Sequence, residues 1–422
     1  MKDYNIYKDY LLLNSKIQDN YCDFIKKFPI SFKTIEWYLR LYESVGIHEV
    51  ERIFFNRKSR FKKYSLNVTR ILFNFFYSKN KKRAIVNIPR MNKIQSDTKE
   101  FLEIKGITCT EFSKGYNILD SLIGNSLFKL GLYDNLKHFP FNDDYDENFW
   151  INFEYNLNKL IINYSHLFNK LNFKIVVTQD LHTETGFLVS KIMKLLKLPS
   201  LEFAHAFTQD RHLVTILPIN GDYSILWSEY LQEKILTVCT LKEKPKLINF
   251  GYPNVFGNNI ILEKKHFLLL FPGLQGRTTS ERKIIYNKWI DLYNNINSFD
   301  EPVNIVVRCH PGDSTFETNK IRFSYSSCIS NKSLESDLMN SFFVLGGATT
   351  VLVDAFQNKI PCFQITDFDP ENLIFPIKRF SLEEFFKLNF NSFFNFKAWS
   401  YNYNNPKRFN YNKYFNFLNK QI

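Results

Sequence analysis

A chain of 422 residues has room for two domains with separate cores, and 45% hydrophobic residues exclude a disordered chain. The net charge of +13 suits an anionic partner: a membrane surface, a small substrate or nucleic acid. Nucleic acid is the weakest of the three, since RNP-type aromatics, zinc-finger spacing and a Lys/Arg-rich tail are all missing.

Residues 1–80 are expected to form a helical extension. Within it the basic run Arg57–Lys63 precedes the apolar Ile71–Tyr77, and Lys79 and Lys81 to Arg83 follow. Basic flanks around an aromatic face suit contact with an anionic membrane through Arg57–Arg83; the alternative is the solvated edge of a core helix. Residues 81–253 read as a first Rossmann-like domain. A strand at Ala84–Ile88 and a helix over Ser96–Lys105 open it, and a long amphipathic helix over Phe149–Leu171 leads to the β-branched strand Lys174–Thr178. The turn Gln179–Gly186 then enters a helix over Phe187–Leu196. Strands near Leu201 and at Tyr223–Ser228, a helix at Tyr230–Leu236 and the segment Ile248–Pro253 complete this half.

A polar linker is expected at 254–265. The second domain, 266–385, starts with the strand His266–Phe271, a Gly-containing turn and a helix from Ser280 through Tyr293. Further strands are expected at Val303–Val307, Tyr325–Cys328, Phe342–Leu345 and Pro361–Ile365. Residues 386–422 form an aromatic, Asn-rich tail expected to pack back on the first domain. Repeated strand–helix–strand units predict parallel sheets. No run reaches the ~20 apolar residues of a spanning helix. Met1-Lys2-Asp3-Tyr4 is not a signal peptide, and the six cysteines lack metal spacing, so a cytoplasmic protein is expected.

The chemistry concentrates in two strand-to-helix turns. One strand runs into Arg308-Cys309-His310-Pro311-Gly312, another into Gly346-Gly347-Ala348-Thr349-Thr350. Both turns lie at the carboxyl end of a parallel sheet, where open α/β sheets bind ligands. His310 could donate to a phosphate; Arg308 could reach the same face or pair with a core carboxylate, and Pro311 sets the turn. Gly346 and Gly347 would let the backbone approach an anion, with Thr349 and Thr350 adding hydroxyls to helix N-terminal amides. An ordinary Thr N-cap is the alternative. Asp354 would hold ribose hydroxyls or face solvent. Gly273, Gly276 and Arg277 would form a diphosphate or sugar loop, or a plain tight turn. In the first domain Asp180, His182, Glu184 and His205 follow strand ends and could accept a proton. Asp180 ranks first, Glu184 and His205 after it; stabilisation of a helix N-terminus is the alternative role for the two carboxylates. Asp367-Phe368-Asp369 is read as a loop near the base or hinge.

Arg308-Cys309-His310-Pro311 resembles the HP motif of bacterial sialyltransferases, polysialyltransferases and Kdo transferases, and Thr349-Thr350 stands where they place a Ser-Ser/Thr pair. Trp227-Ser228-Glu229-Tyr230 followed by Gly251-Tyr252-Pro253 resembles the end of the first domain in surface-polysaccharide transferases. The resemblance spans roughly residues 170–370. It implies a GT-B glycosyltransferase: two Rossmann-like domains facing each other across a cleft, here with the helical N-terminal segment added. It further implies an inverting, metal-independent transfer, with no resident cofactor, from a nucleotide-sugar donor to a capsule or lipopolysaccharide glycan or glycolipid. The leading donor is a CMP-linked nonulosonate or Kdo, and the enzyme would sit peripherally on the inner face of the membrane. Those sialyltransferases carry an acidic pair followed by Gly, for which Asp180-Leu181-His182-Thr183-Glu184-Thr185-Gly186 is the nearest counterpart here, with different spacing. HP-like turns also occur in CDP-glycerol polyol-phosphate transferases, the first alternative; a non-catalytic polysaccharide-assembly partner is the second.

Overall fold

The structure, a computed structural model, describes residues 6–45, 81–88, 91–110, 123–136, 145–203, 217, 219–253, 266–274, 277–299, 304–369, 377–388 and 408–422. The expected membrane segment up to Asn80 and the linker at 254–265 lie outside the described residues. The chain divides into two compact units, one of residues 1–205, 211–253 and 410–422, the other of 206–210 and 254–409.

The first unit is built on six strands: β1 (Lys82–Asn87), β2 (Ile107–Thr110), β3 (Phe173–Thr178), β4 (Ser200–Phe203), β5 (Tyr223–Leu226) and β6 (Leu247–Asn249). They run parallel in the order β2-β1-β3-β4-β5-β6. β3 and β4 are buried nearly throughout, as expected of parallel strands covered on both faces. The helices are α1 (Ile6–Lys27, kinked at Tyr21), α2 (Pro29–Val45), α3 (Asn92–Ile104), α4 (Asn125–Lys129), α5 (Leu132–Asn135), α6 (Glu147–Lys170), α7 (Glu184–Leu195) and α8 (Glu229–Leu236). The N-terminal pair belongs to this unit. Glu154 of α6 accepts from the amides of Ile30 (2.9 Å) and Ser31 (2.6 Å) in the first turn of α2, where a carboxylate meets the positive end of the helix dipole. Phe24 of α1 sets its ring edge-on to Trp150 at 4.9 Å.

The second unit has β7 (His266–Phe271), β8 (Ile305–Cys309), β9 (Ser341–Gly346), β10 (Cys362–Ile365) and β11 (Lys378–Phe380), parallel in the order β11-β10-β9-β7-β8. Its helices are α9 (Thr279–Asn297), α10 (Phe316–Ser324), α11 (Leu334–Met339), α12 (Thr350–Gln357) and α13 (Leu382–Phe386). Phe267, Leu269 and Phe271 share one face of β7 and pack with Trp289, Leu292 and Ile296 of α9. The last helix, α14 (Tyr411–Asn419), belongs to the first unit: Tyr414 meets Phe203 at 5.6 Å and Phe250 at 5.4 Å.

Tyr325–Cys328, expected as a strand, is instead the turn that ends α10. Tyr325 caps that helix and sets its ring edge-on to Trp289 at 5.5 Å, while the Cys328 amide folds back to the Tyr325 carbonyl at 2.8 Å. Only a single bridge, Val307 to Ile329, touches the sheet here. Aromatic side chains that pack on a neighbouring helix mimic a buried strand when read along the sequence alone.

In both sheets the first strand lies between the second and the third. Chain direction across the sheet therefore reverses at the first strand, and the crevice at the carboxyl ends of the first and third strands is the place where such sheets bind ligands.

Candidate functional site

In the second unit that crevice lies between the turn after β7 and the turn after β9. The turn after β8 stands on the other side of β7, so two strand spacings, about 10 Å, separate the ends of β8 and β9. The β7 turn bridges them. A Cβ at Gly273 would stand 3.6 Å from Cγ of His310, so the imidazole lies along the glycine. His310 is exposed, and the Gly312 amide donates to its Nδ1 at 3.3 Å. In the neutral ring the proton therefore sits on Nε2, which is a donor.

Asp313 sets this arrangement. Its side chain is 1% exposed; Oδ2 accepts from the Leu274 amide at 2.6 Å and Oδ1 from the Thr315 amide at 2.9 Å. Burial pushes its carboxyl up, but the hydrogen bonds from Leu274, Thr315 and Thr318 outweigh burial and hold it below the usual carboxylate range. Asp313 thus staples the β7 turn to the β8 turn. Arg322 adds a bond from Nη2 to the His310 carbonyl at 3.1 Å.

At the β9 turn, Thr349 is the N-cap of α12 and accepts from the Val351 amide at 3.4 Å; Thr350 is exposed at the first helical position. The two glycines answer to packing. A Cβ at Gly346 would meet Leu270 at 2.9 Å, and one at Gly347 would meet Phe368 at 3.3 Å and Asp369 at 3.5 Å. Asp354 is buried, not solvent-facing. Arg277 pairs with Asp369 at 3.5 Å, and Gly276 lies outside the described residues. Asp367–Asp369 follow the carboxyl end of β10, not the base. Asp367 pairs with Lys288 at 2.8 Å and accepts from the Leu382 amide at 2.8 Å. Arg308 pairs with the buried Asp337 and donates to the Lys332 carbonyl at 2.9 Å.

In the first unit the turn after β3 carries Gln179 to Thr183. Asp180 is half-buried, and its carbonyl accepts from the hydroxyl of Thr183, the N-cap of α7, at 2.7 Å. Glu184 is fully buried and accepts from the Tyr133 hydroxyl at 2.7 Å. His182 is the better-positioned group. Glu202, at the end of β4, accepts from its Nδ1 at 2.7 Å and its backbone amide at 3.1 Å. Trp37 of α2 stands edge-on to the ring at 5.6 Å. His205 lies outside the described residues. Asp313 and Glu202 escaped the sequence reading. An acid just after His-Pro-Gly, and an acid inside an apolar strand, were the available signals.

Together these features define a protein of two α/β units, each a doubly wound parallel sheet with polar turns at its carboxyl edge. The chain matches no protein-family model and no curated protein. Solved structures similar to it include the wall teichoic acid polymerase TagF, at 15% identity over 46% of this chain and 55% of that one, TM-score 0.32. Another is a GtfA/B complex bound to UDP and GlcNAc, at 13% identity over 49% of this chain and 46% of that one, TM-score 0.25. The chain spans about half the length of each. Likeness of this degree identifies neither a family nor an activity. Among the described residues no helix is long and apolar enough to cross a membrane, and no group of His, Cys, Asp or Glu could hold a metal ion.

Proposed function

We propose that the chain is a GT-B-type glycosyltransferase that binds a nucleotide-activated sugar at the carboxyl edge of its second unit. The observation that carries this reading is the exposed His310, stapled over Gly273 by Asp313 at the end of a doubly wound sheet. His310, Thr349 and Thr350 would donate to the leaving phosphate, stabilising charge that develops as the bond to the sugar breaks. Arg308 is held by Asp337 and contributes to the strand end instead. The acceptor hydroxyl attacks the anomeric carbon, the nucleotide phosphate departs with the bonding pair, and the configuration inverts. The hydroxyl proton passes to a base in the first unit. Asp180 and His182 are the candidates there, and the carboxylate of Glu202 aligns His182 for the role. Glu184, buried against Tyr133, supports the turn.

On the His-Pro resemblance, the donor placed first is a CMP-linked nonulosonate or Kdo and the product a capsule or lipopolysaccharide glycan. Calorimetric titration with CMP, CDP, UDP and GDP tests this. CMP is expected to bind, and His310→Ala to weaken it about 10–100-fold through loss of a hydrogen bond to a charged group. A preference for CDP would move the reading to polyol-phosphate transfer, and no binding of any nucleotide would remove it.

A further inference from the structure

The chain contains 44 Phe, yet among the described residues only Phe316, Phe323 and Phe386 are exposed large hydrophobic side chains of that type. Phe316 is 75% exposed and Phe323 85%, and both belong to α10. At positions i and i+7 they share one face of that helix. Thr318 and Ile321 on the other face are buried, so packing against the second unit's core drives the two rings outward. Composition alone does not explain the pair, since among the described residues the next most exposed Phe is Phe386 at 38%, about half the exposure of either ring.

The groups around the rings are mostly cationic. Lys320 lies between them on the exposed face, and Arg322 precedes Phe323. Neighbouring α9 adds Arg282, which faces α10, and the Lys320 ammonium lies 4.9 Å from the ring centre of Tyr286 on the same helix. The acids nearby are Glu317, which pairs with Arg282 at 3.8 Å, and Glu281, engaged in the capping box with Thr278. Two isolated aromatic rings separated by a lysine and the polar Asn319 do not make the continuous apolar core of a stable protein interface. They do match an interfacial layer that takes up single rings while cations remain at the headgroups.

We propose that α10 docks the protein on an anionic lipid bilayer, with Phe316 and Phe323 entering the interface and Lys320 and its neighbouring cations lying over anionic headgroups. This surface is distinct from Arg57–Arg83 and independent of the reaction proposed above. It is also tied to the His310 turn. Asn319 Nδ2 donates to the Ser314 carbonyl at 3.2 Å, and Arg322 Nη2 to the His310 carbonyl at 3.1 Å. Docking there holds that turn beside the bilayer.

The test sediments the full chain with large unilamellar vesicles of phosphatidylcholine, with and without phosphatidylglycerol. The wild type is expected to pellet with the anionic vesicles only. The Phe316→Ser/Phe323→Ser double variant is expected to lose roughly tenfold or more in partition. Its melting should match the wild type, because both rings already face solvent. A Phe323→Trp variant gives a second readout: brominated lipids in anionic vesicles should quench it. The proposal falls if the double variant pellets as well as the wild type, if the wild type ignores anionic vesicles, or if quenching is absent. It also falls if light scattering shows that the double variant merely dissolves a dimer, which would make the face a contact between two copies.

Discussion

Asp313 joins two turns that are 39 positions apart in sequence, and that separation is why it went unnoticed beside His310. Its folded carboxyl lies below the ordinary range, so its stabilisation is complete at neutral pH. It is lost as pH falls below about 4 and through the lowered value. Asp313→Asn is therefore expected to cost about 1.5–3 kcal/mol at pH 7, by loss of hydrogen bonds to a charged group. Urea unfolding curves of variant and wild type should converge in acid; a gap that persists at pH 2–3 would contradict the assignment. His182 is the matching case in the first unit, its Glu202 partner being 20 positions away. His182→Ala is expected to lower kcat about 10²–10⁴-fold while leaving the donor KM near the wild-type value. An unchanged kcat would return the role to Asp180.

Strand-to-helix turns were the most readable elements, and the reasons for their glycines were the least. Gly186 lies in the first turn of α7, just past the turn that carries Asp180 and His182. Its requirement is steric, because a Cβ there would lie 2.0 Å from the Asp180 carbonyl and 2.4 Å from Leu181 Cα, both backbone atoms. Gly186→Ala is expected to destabilise the first unit by about 1–3 kcal/mol or more, measured by thermal or urea unfolding. The helix-to-strand connections repeat another device. Asn172, Lys197 and Lys359 take left-handed φ values of 56°, 55° and 59°, each between a helix and the next strand. At Lys197 the Leu198 amide bonds back to the Met193 carbonyl at 2.9 Å, closing a Schellman turn. Glycine adopts that backbone without a Cβ clash, so Lys197→Gly is expected to raise stability by about 1 kcal/mol. A loss of stability at Lys197→Gly would show that the lysine side chain outweighs the strain.

At the scale of the whole chain, α14 returns to the first unit. Tyr414 is fully buried, its hydroxyl 3.0 Å from that of Thr98 on α3, and its ring meets Phe203 and Phe250 at strand ends. Tyr414→Ala is expected to cost about 3–5 kcal/mol. Hydrogen exchange should quicken in β4 and β6 and stay unchanged in β7–β10, since the two units keep separate cores; equal acceleration in both would contradict that separation. Alternation of apolar runs with amphipathic helices is a local property, and the sequence by itself determined from it the α/β class, the parallel strands and the place of the His-Pro turn. Strand order is not local. Only the tertiary structure decided that β7 stands between β8 and β9, that Gly273 lies under His310, that Arg308 turns to Asp337, and that Glu202 and Trp37 meet His182. Each of those contacts joins segments whose approach is set by burial of both sheet faces, a cooperative outcome that no short window of residues contains.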